Sequence, residues 1–195
     1  MTATNVVTGK VRFSYCNVSK ARRNELNGKD EFSTQILVPK DDTDTINAIK
    51  AAAKEAIKAK WGDKVPAKIR NPLRDGDTEM KSDGVTPLGD EYKGHWFMNV
   101  KATKKPGLID AQGNELIGPD DIGSGDYGRV SANAYAYDQA GNRGVAFGLN
   151  NVLLLEKGTS LGGTRKSAFE DFGVASGGAS KPAAAADVSD DDIPW

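Results

Sequence analysis

The chain of 195 residues is short of the residue types on which much catalysis depends. It has one cysteine, Cys16, and one histidine, His95. A lone cysteine forms no internal disulfide and suits a reducing compartment. With a single histidine beside it, it cannot build a zinc site of the usual Cys/His kind. Long apolar runs are missing as well. The longest fully aliphatic stretch is Val152–Leu155, far short of the roughly 20 residues a membrane helix needs, so no membrane partner is expected. The first residues, MTATNVVTGK, hold no basic segment followed by an apolar one, and no secretory leader is read there. Net charge is small too, with 26 Lys+Arg against 27 Asp+Glu, which argues against a uniformly basic coat for DNA.

That balance hides an uneven distribution. Residues 1–74 carry 15 basic and 8 acidic side chains, and residues 75–173 carry 10 and 15. Residues 174–195 carry 1 and 4. A basic first third and an acidic end cancel on paper.

Periodicity separates strands from helix. Lys10–Cys16 alternates, placing Val11, Phe13 and Tyr15 on one side and Arg12, Ser14 and Cys16 on the other. Lys20, Arg22, Arg23, Asn27 and Gly28 read as a polar loop. Glu31–Val38 alternates again. Ile46, Ile49, Ala53, Ile57 and Trp61 recur at spacings of three and four, a helical stripe capped by acids near Asp42 and ended by Gly62. Lys50, Lys54, Lys58 and Lys60 form its solvated face. Residues 62–94 form a long irregular connection. His95–Lys101 returns to strand, followed by a basic turn at Lys104 and Lys105. Leu108–Ile109 and Asn114–Ile117 suggest a short hairpin. Tyr127–Asp138, Asn142–Leu149 and Val152–Leu155 read as three more strands. Five main strands around one helix, without βαβ alternation, point to a mainly β fold: a small antiparallel barrel or sandwich rather than a doubly wound sheet.

Several motifs bear on chemistry. Gly123–Gly128 matches GxGxxG, but an alternating strand follows it where a dinucleotide site needs a helix, so the glycines are expected to serve a turn. Gly158–Lys166 lacks P-loop spacing. Asp75, Asp77 and Glu79 form a D-x-D-x-E run; the EF-hand positions that need Gly and Glu hold Met80 and Thr86. A two-metal nuclease could recruit such acids, and a solvated acidic loop is the plainer reading. The strand Arg129–Tyr137 puts Val130, Ala132, Ala134 and Ala136 on one face and Arg129, Ser131, Asn133, Tyr135 and Tyr137 on the other. Flat aromatics beside cations are what single-stranded nucleic acid binds. The two tyrosines could equally point inward with satisfied hydroxyls.

The last six residues, Asp190-Asp191-Asp192-Ile193-Pro194-Trp195, closely resemble the Asp-Asp-Asp-Ile-Pro-Phe ending of bacterial single-stranded DNA-binding proteins, with Trp for Phe. That resemblance implies an acidic tail whose aromatic tip docks onto replication and repair proteins. The order ILVPKDD (36–42), NPLRDGD (71–77) and YGRVSANAYAYDQAGNRGVAFGLNNV (127–152) resembles phage-encoded OB-fold single-stranded DNA-binding proteins across roughly 170 residues. It implies a five-stranded OB-fold barrel with one main helix and long loops over residues 1–172. A flexible acidic tail over 173–195 would follow. The implied function is sequence-independent binding and protection of single-stranded DNA during phage replication and recombination, in the cytoplasm of the bacterial host. It implies no enzyme activity, no cofactor and no metal, and leaves monomer and homodimer open.

The expected DNA-binding residues are Lys10, Arg12, Tyr15, Lys20, Arg22, Arg23, Phe97, Lys101, Lys104, Lys105, Arg129, Tyr135, Tyr137 and Arg143. Opposed charge also predicts that the tail competes for the basic groove. The alternatives are a metal-dependent nuclease using Asp75, Asp77 and Glu79, and a phage structural or assembly protein.

Overall fold

Five strands pair in a closed circuit. In the computed structural model, which describes residues 3–25, 28–139 and 141–161, the elements are β1 (Asn5–Val7), β2 (Val11–Asn24), β3 (Lys29–Pro39), α1 (Thr43–Trp61), β4 (Arg74–Asp75), β5 (His95–Ala102), β6 (Gly107–Asp110), β7 (Tyr127–Gln139) and β8 (Asn142–Glu156). β2 pairs with β3, β3 with β5, β5 in parallel with β8, β8 with β7, and β7 again with β2. This is the mainly β, five-stranded barrel expected of an OB-fold. β1 and β6 flank it on β7 and β8, and β4 adds to β5.

Alternation fills the barrel. Val11, Phe13, Ile36, Val38, Met98, Val100, Val130, Phe147 and Val152 are buried in one cluster. α1 lies between the second and third barrel strands and packs on β7. Its Ile46, Ile49, Ala52 and Ala56 join Ala132 and Ala134 in that cluster, and the small side chains let helix and strand approach closely. Asp42 Oδ1 accepts from Thr45 N at 3.0 Å, and Gly62 ends the helix at φ 55°.

Three expectations are corrected. Tyr15, placed by alternation on one side with Val11 and Phe13, is 70% exposed at φ 46°, at a bulge between Ser14 and Asn17, while those two are buried. The extra residue reverses the phase, so Cys16 packs against the core instead. Residues 20–24 are not loop but the end of β2, paired to β3 through Arg22–Glu31, Arg23–Asp30 and Asn24–Lys29. Val152–Leu155 is not a separate strand: β8 runs on through a bulge that shifts register beside Asn150. That bulge turns two successive asparagines outward and mimics a break in the pattern. The hairpin expected after Leu108 is present in part, with Ile109 bridging Glu115.

The glycine-rich segment is a turn, as expected. Gly125 has φ 108° and abuts the Thr159 carbonyl, leaving no room for a Cβ. The buried Asp126 accepts from Gly123 N at 2.8 Å, Gly158 N at 3.1 Å and Lys157 Nζ at 3.1 Å.

Candidate nucleic-acid interface

The outer face of β5, β8 and β7 carries a groove whose floor is made by small residues. β8 reads Gly-Val-Ala-Phe-Gly-Leu from Gly144 to Leu149. Val145, Phe147 and Leu149 are buried in the barrel, so the residues between them form the outer surface. Across the ladder, Tyr137 stands opposite Gly144, Tyr135 opposite Ala146 and Asn133 opposite Gly148. The Tyr137 ring lies on Gly144, where a Cβ would collide with it. Two hollows result, of about 590 and 600 Å³, both lined by Lys101 and Tyr135.

Cations surround this floor. Arg70 and Arg74 line one hollow with Lys101; Lys104 and Lys105 line the other. The long loop is drawn over the barrel wall by β4, which pairs with β5, and by Arg70, whose N–H donates to the Arg143 carbonyl at 2.9 Å. Arg74 stacks on the Phe97 ring, 4.4 Å from its centroid, and pairs with Glu79 at 3.5 Å. Lys101 pairs with Glu31 at 3.3 Å, and Arg143 with Asp138 at 2.8 Å. The Arg143–Asp138 pair is partly exposed and contributes little to stability, whereas the Glu31 carboxylate is largely buried. Tyr135 is 48% exposed, and partial burial pushes its phenol above the usual range, which keeps it neutral beside anions. An aromatic plate ringed by cations is chemically suited to stack a base while pairing its phosphates.

Five expected residues therefore line the groove: Lys101, Lys104, Lys105, Tyr135 and Tyr137. Arg143 stands opposite Asp138 and pairs with it, one step along the ladder from Tyr137 and Gly144 and so on the other face of the sheet. Arg22 stands opposite Glu31 and shares its face, adjoining the groove; Arg23 stands opposite Asp30 on the other face. Lys20 and Tyr15 are exposed elsewhere on β2. Lys10 and Arg12 gather around Tyr127, where Lys10 pairs with Glu156 and Arg12 donates to the Gly125 and Thr159 carbonyls. Arg129 donates to the Thr8 carbonyl and lines a separate apolar dimple with Val7 and Ile109.

Phe97 requires a correction. It is 2% exposed, packed with Leu37 and edge-on to Tyr92 at 5.1 Å. The 3-10 turn Asp90–Tyr92 covers this patch of the outer wall, so no face of the ring is left for a base. The tail residues Asp190, Asp191, Asp192, Ile193, Pro194 and Trp195, and Asn27, lie outside the described residues.

Arg70, Arg74 and Asn99 line the groove and were not among the expected residues. The signal for the floor was present in the small-large alternation of 144–149. Nothing local places the loop arginines.

The acidic run is a clasp. Lys40 pairs with Asp75 and Asp77, each at 2.6 Å, and Glu79 pairs with Arg74. Among the described residues no three His, Cys, Asp or Glu side chains converge as a metal site. The Lys40 ammonium, bonded to both carboxylates, holds Asp75 and Asp77 below the usual carboxylate range, and they raise its own pKa. The depressed carboxylates stabilise the fold above their unfolded values, and that contribution disappears as pH falls through the folded ones; the raised Lys40 contribution disappears only at alkaline pH. The thermal stability deficit of Lys40→Met relative to wild type should therefore be largest between about pH 5 and 9 and vanish near pH 2. A deficit that persists unchanged in acid would refute the clasp. Burial raises the Cys16 thiol to about 11, and His95 bonds the Lys93 carbonyl; neither group is set up as a nucleophile.

Residues 4–185 match the family model described as the Enterobacter phage Enc34 ssDNA-binding protein. Protein p50 of Acyrthosiphon pisum secondary endosymbiont phage 1 is 30% identical over 147 residues, covering 74% of this chain and 79% of that one. In fold, the chain is similar to the single-stranded DNA-binding protein of bacteriophage Enc34 solved in complex with ssDNA. That match has a TM-score of 0.73 at 18% identity, over 83% of this chain and 91% of that one. It is also similar to gp2.5, a single-stranded DNA-binding protein encoded by bacteriophage T7, with a TM-score of 0.58 at 15% identity over 92% and 98% of the chains.

Proposed function

The chain belongs to the family of the Enterobacter phage Enc34 ssDNA-binding protein, and from that premise we propose that it binds and protects single-stranded DNA without sequence preference during phage replication and recombination, in the host cytoplasm. The observation that carries this reading is the exposed Tyr135 ring beside the small-residue floor of Ala146 and Gly148, ringed by Arg70, Arg74, Lys101, Lys104 and Lys105. Bases stack on the aromatic ring and phosphates pair with the cations, neither of which reads sequence. Titrating the full chain with oligo-dT and with a duplex of equal length, followed by tryptophan fluorescence, tests the reading. Tight binding of oligo-dT and weak binding of duplex is expected. No binding of oligo-dT at low salt would overturn it.

Salt dependence follows from the same cations. Each phosphate neutralised on a single strand contributes about 0.7 to the slope of log affinity against log salt, so three to five contacts give a slope of about −2 to −3.5. Between 50 and 200 mM salt, affinity should fall by about 15- to 130-fold. A slope near zero would remove the cations from the interface.

Residues 1–172 form the binding domain in this reading, and 173–195 an acidic tail that recruits replication or repair proteins through Ile193, Pro194 and Trp195. Carboxylates steer the peptide and the two apolar side chains anchor it. In fluorescence anisotropy, a labelled peptide of residues 187–195 should bind a host replication protein, and Trp195→Ala should abolish binding. Equal binding by the two peptides would overturn the docking role.

A further inference from the structure

Beneath the groove runs a chain of buried polar side chains that the DNA-binding reading does not use. Ser14, Gln35 and Tyr92 are 3%, 8% and 4% exposed. The Ser14 and Tyr92 hydroxyls lie 3.4 Å apart. The Tyr92 hydroxyl donates to Gln35 Oε1. That leaves Gln35 its amide nitrogen, and Nε2 donates to Asn99 Oδ1 at 3.0 Å. Asn99 is exposed on β5 and lines the groove with Arg74, Lys101, Tyr135 and Tyr137.

The chain has a direction. A tyrosine hydroxyl has one proton; once it is given to Oε1, the Gln35 amide can turn only its N–H groups toward Asn99. Asn99 must then offer its oxygen to Gln35, and its NH₂ group is left facing the groove, with no partner among the described residues. Burying three polar groups costs free energy unless each is satisfied. Apolar residues at Gln35 and Tyr92 would have closed this wall more simply, as Leu37 and Phe97 do beside them.

We propose that Ser14, Tyr92 and Gln35 are positioning residues that lock the Asn99 amide with its NH₂ toward the groove, where it donates to an acceptor on the edge of the base stacked on Tyr135. The inference rests on the single-stranded DNA reading and adds to it a directed hydrogen bond. A phosphate oxygen is the other acceptor that DNA carries. An uncharged amide among five cations competes poorly for phosphate, and Asn99 stands on the sheet between Gln35 and the small-residue floor, where the base edge would lie. Every base offers an acceptor on its edge, so this N–H donor pair donates to any of them, and the contact strengthens binding without making it sequence-specific.

The test is a double-mutant cycle on oligo-dT affinity, with Tyr92→Phe, which keeps the ring against Phe97 and removes only the hydroxyl. Asn99→Ala should weaken binding about 3- to 10-fold and Tyr92→Phe about 2- to 5-fold, each with an unchanged salt slope. In the Asn99→Ala background, Tyr92→Phe should have no further effect. Should Tyr92→Phe fold poorly, Gln35→Leu removes the same tether and the same non-additivity is expected. Additive losses would overturn the relay, as would an Asn99→Ala variant that binds like wild type. An abasic oligonucleotide of equal length separates the acceptors: the Asn99→Ala loss should disappear on it, and a loss that persists would overturn the base-edge assignment. Failure of the wild-type chain to bind oligo-dT would instead sink the DNA-binding reading, and this inference with it; wild-type binding with an additive cycle sinks the relay alone.

Discussion

Replacing Tyr135 by Ala is expected to weaken oligo-dT binding by about 1–3 kcal/mol, roughly 5- to 150-fold, since that is the usual contribution of one base stacked on one aromatic side chain. The fold should be indifferent. Tyr135 is 48% exposed and stands on the outer face of β7, opposite Ala146. Its removal opens no cavity in the barrel, and the melting temperature should move by no more than a few degrees. Tyr135→Phe separates stacking from the hydroxyl: it keeps the ring and should keep most of the affinity. Fluorescence titration at fixed salt, with thermal unfolding alongside, measures both quantities. Wild-type affinity in Tyr135→Ala would remove the stacking platform from the proposed interface.

Phe97→Ala is expected to do the opposite. Truncating a fully buried phenylalanine costs about 3–5 kcal/mol of stability, here by emptying the patch formed with Leu37 and Tyr92 and removing the ring on which Arg74 stacks. DNA affinity should fall only as far as Arg74 and the covering turn are displaced, and conditions that restore the fold should restore binding. A stable Phe97→Ala variant with lost affinity would show that the ring faces DNA after all. Denaturant unfolding monitored by circular dichroism gives the stability, and the oligo-dT titration gives the rest.

These two aromatics mark how far the sequence could be read. Both sit on alternating strands, Phe97 between Lys93 and Lys101 and Tyr135 on a strand face that begins with Arg129, and both are expected from sequence to contact DNA. The pattern places Phe97 on the face opposite Met98 and Val100, as it places Tyr135 opposite Ala134 and Ala136, and both faces do lie outside the barrel. What differs is what lies on top. Among the described residues Tyr135 opens onto the groove, whereas Phe97 is covered by the turn Asp90–Tyr92 on one side and Arg74 on the other. Alternation reports which side of a sheet a residue takes; it carries no information about loops that return over that side.

The phase at Tyr15 departs from simple alternation for a more local reason. A single residue at φ 46° shifts the phase of β2, and a tyrosine is not a residue that announces a positive φ. The asparagine pair at 150–151 did the same to β8. Period-two reasoning is accurate between bulges and fails across them, because one inserted residue moves every later side chain to the other face.

By itself the sequence determined the local elements. The helix between Asp42 and Gly62, the strands of the barrel, the glycine turn at 123–128 and the resemblance to phage single-stranded DNA-binding proteins all rest on short-range patterns of burial, capping and composition. Lys101, Lys104, Lys105, Tyr135 and Tyr137, singled out from the sequence, line the same groove. Only the tertiary structure decided which cations share a groove. Arg70 and Arg74 arrive there because β4 pairs with β5 and Arg70 bonds to β8. Lys10, Arg12 and Arg129 are drawn off to Tyr127, Glu156 and Thr8. Closing a barrel brings together residues far apart in the chain, such as Lys101 and Gly148, and the energy that selects those contacts belongs to the closed sheet, not to any segment of it.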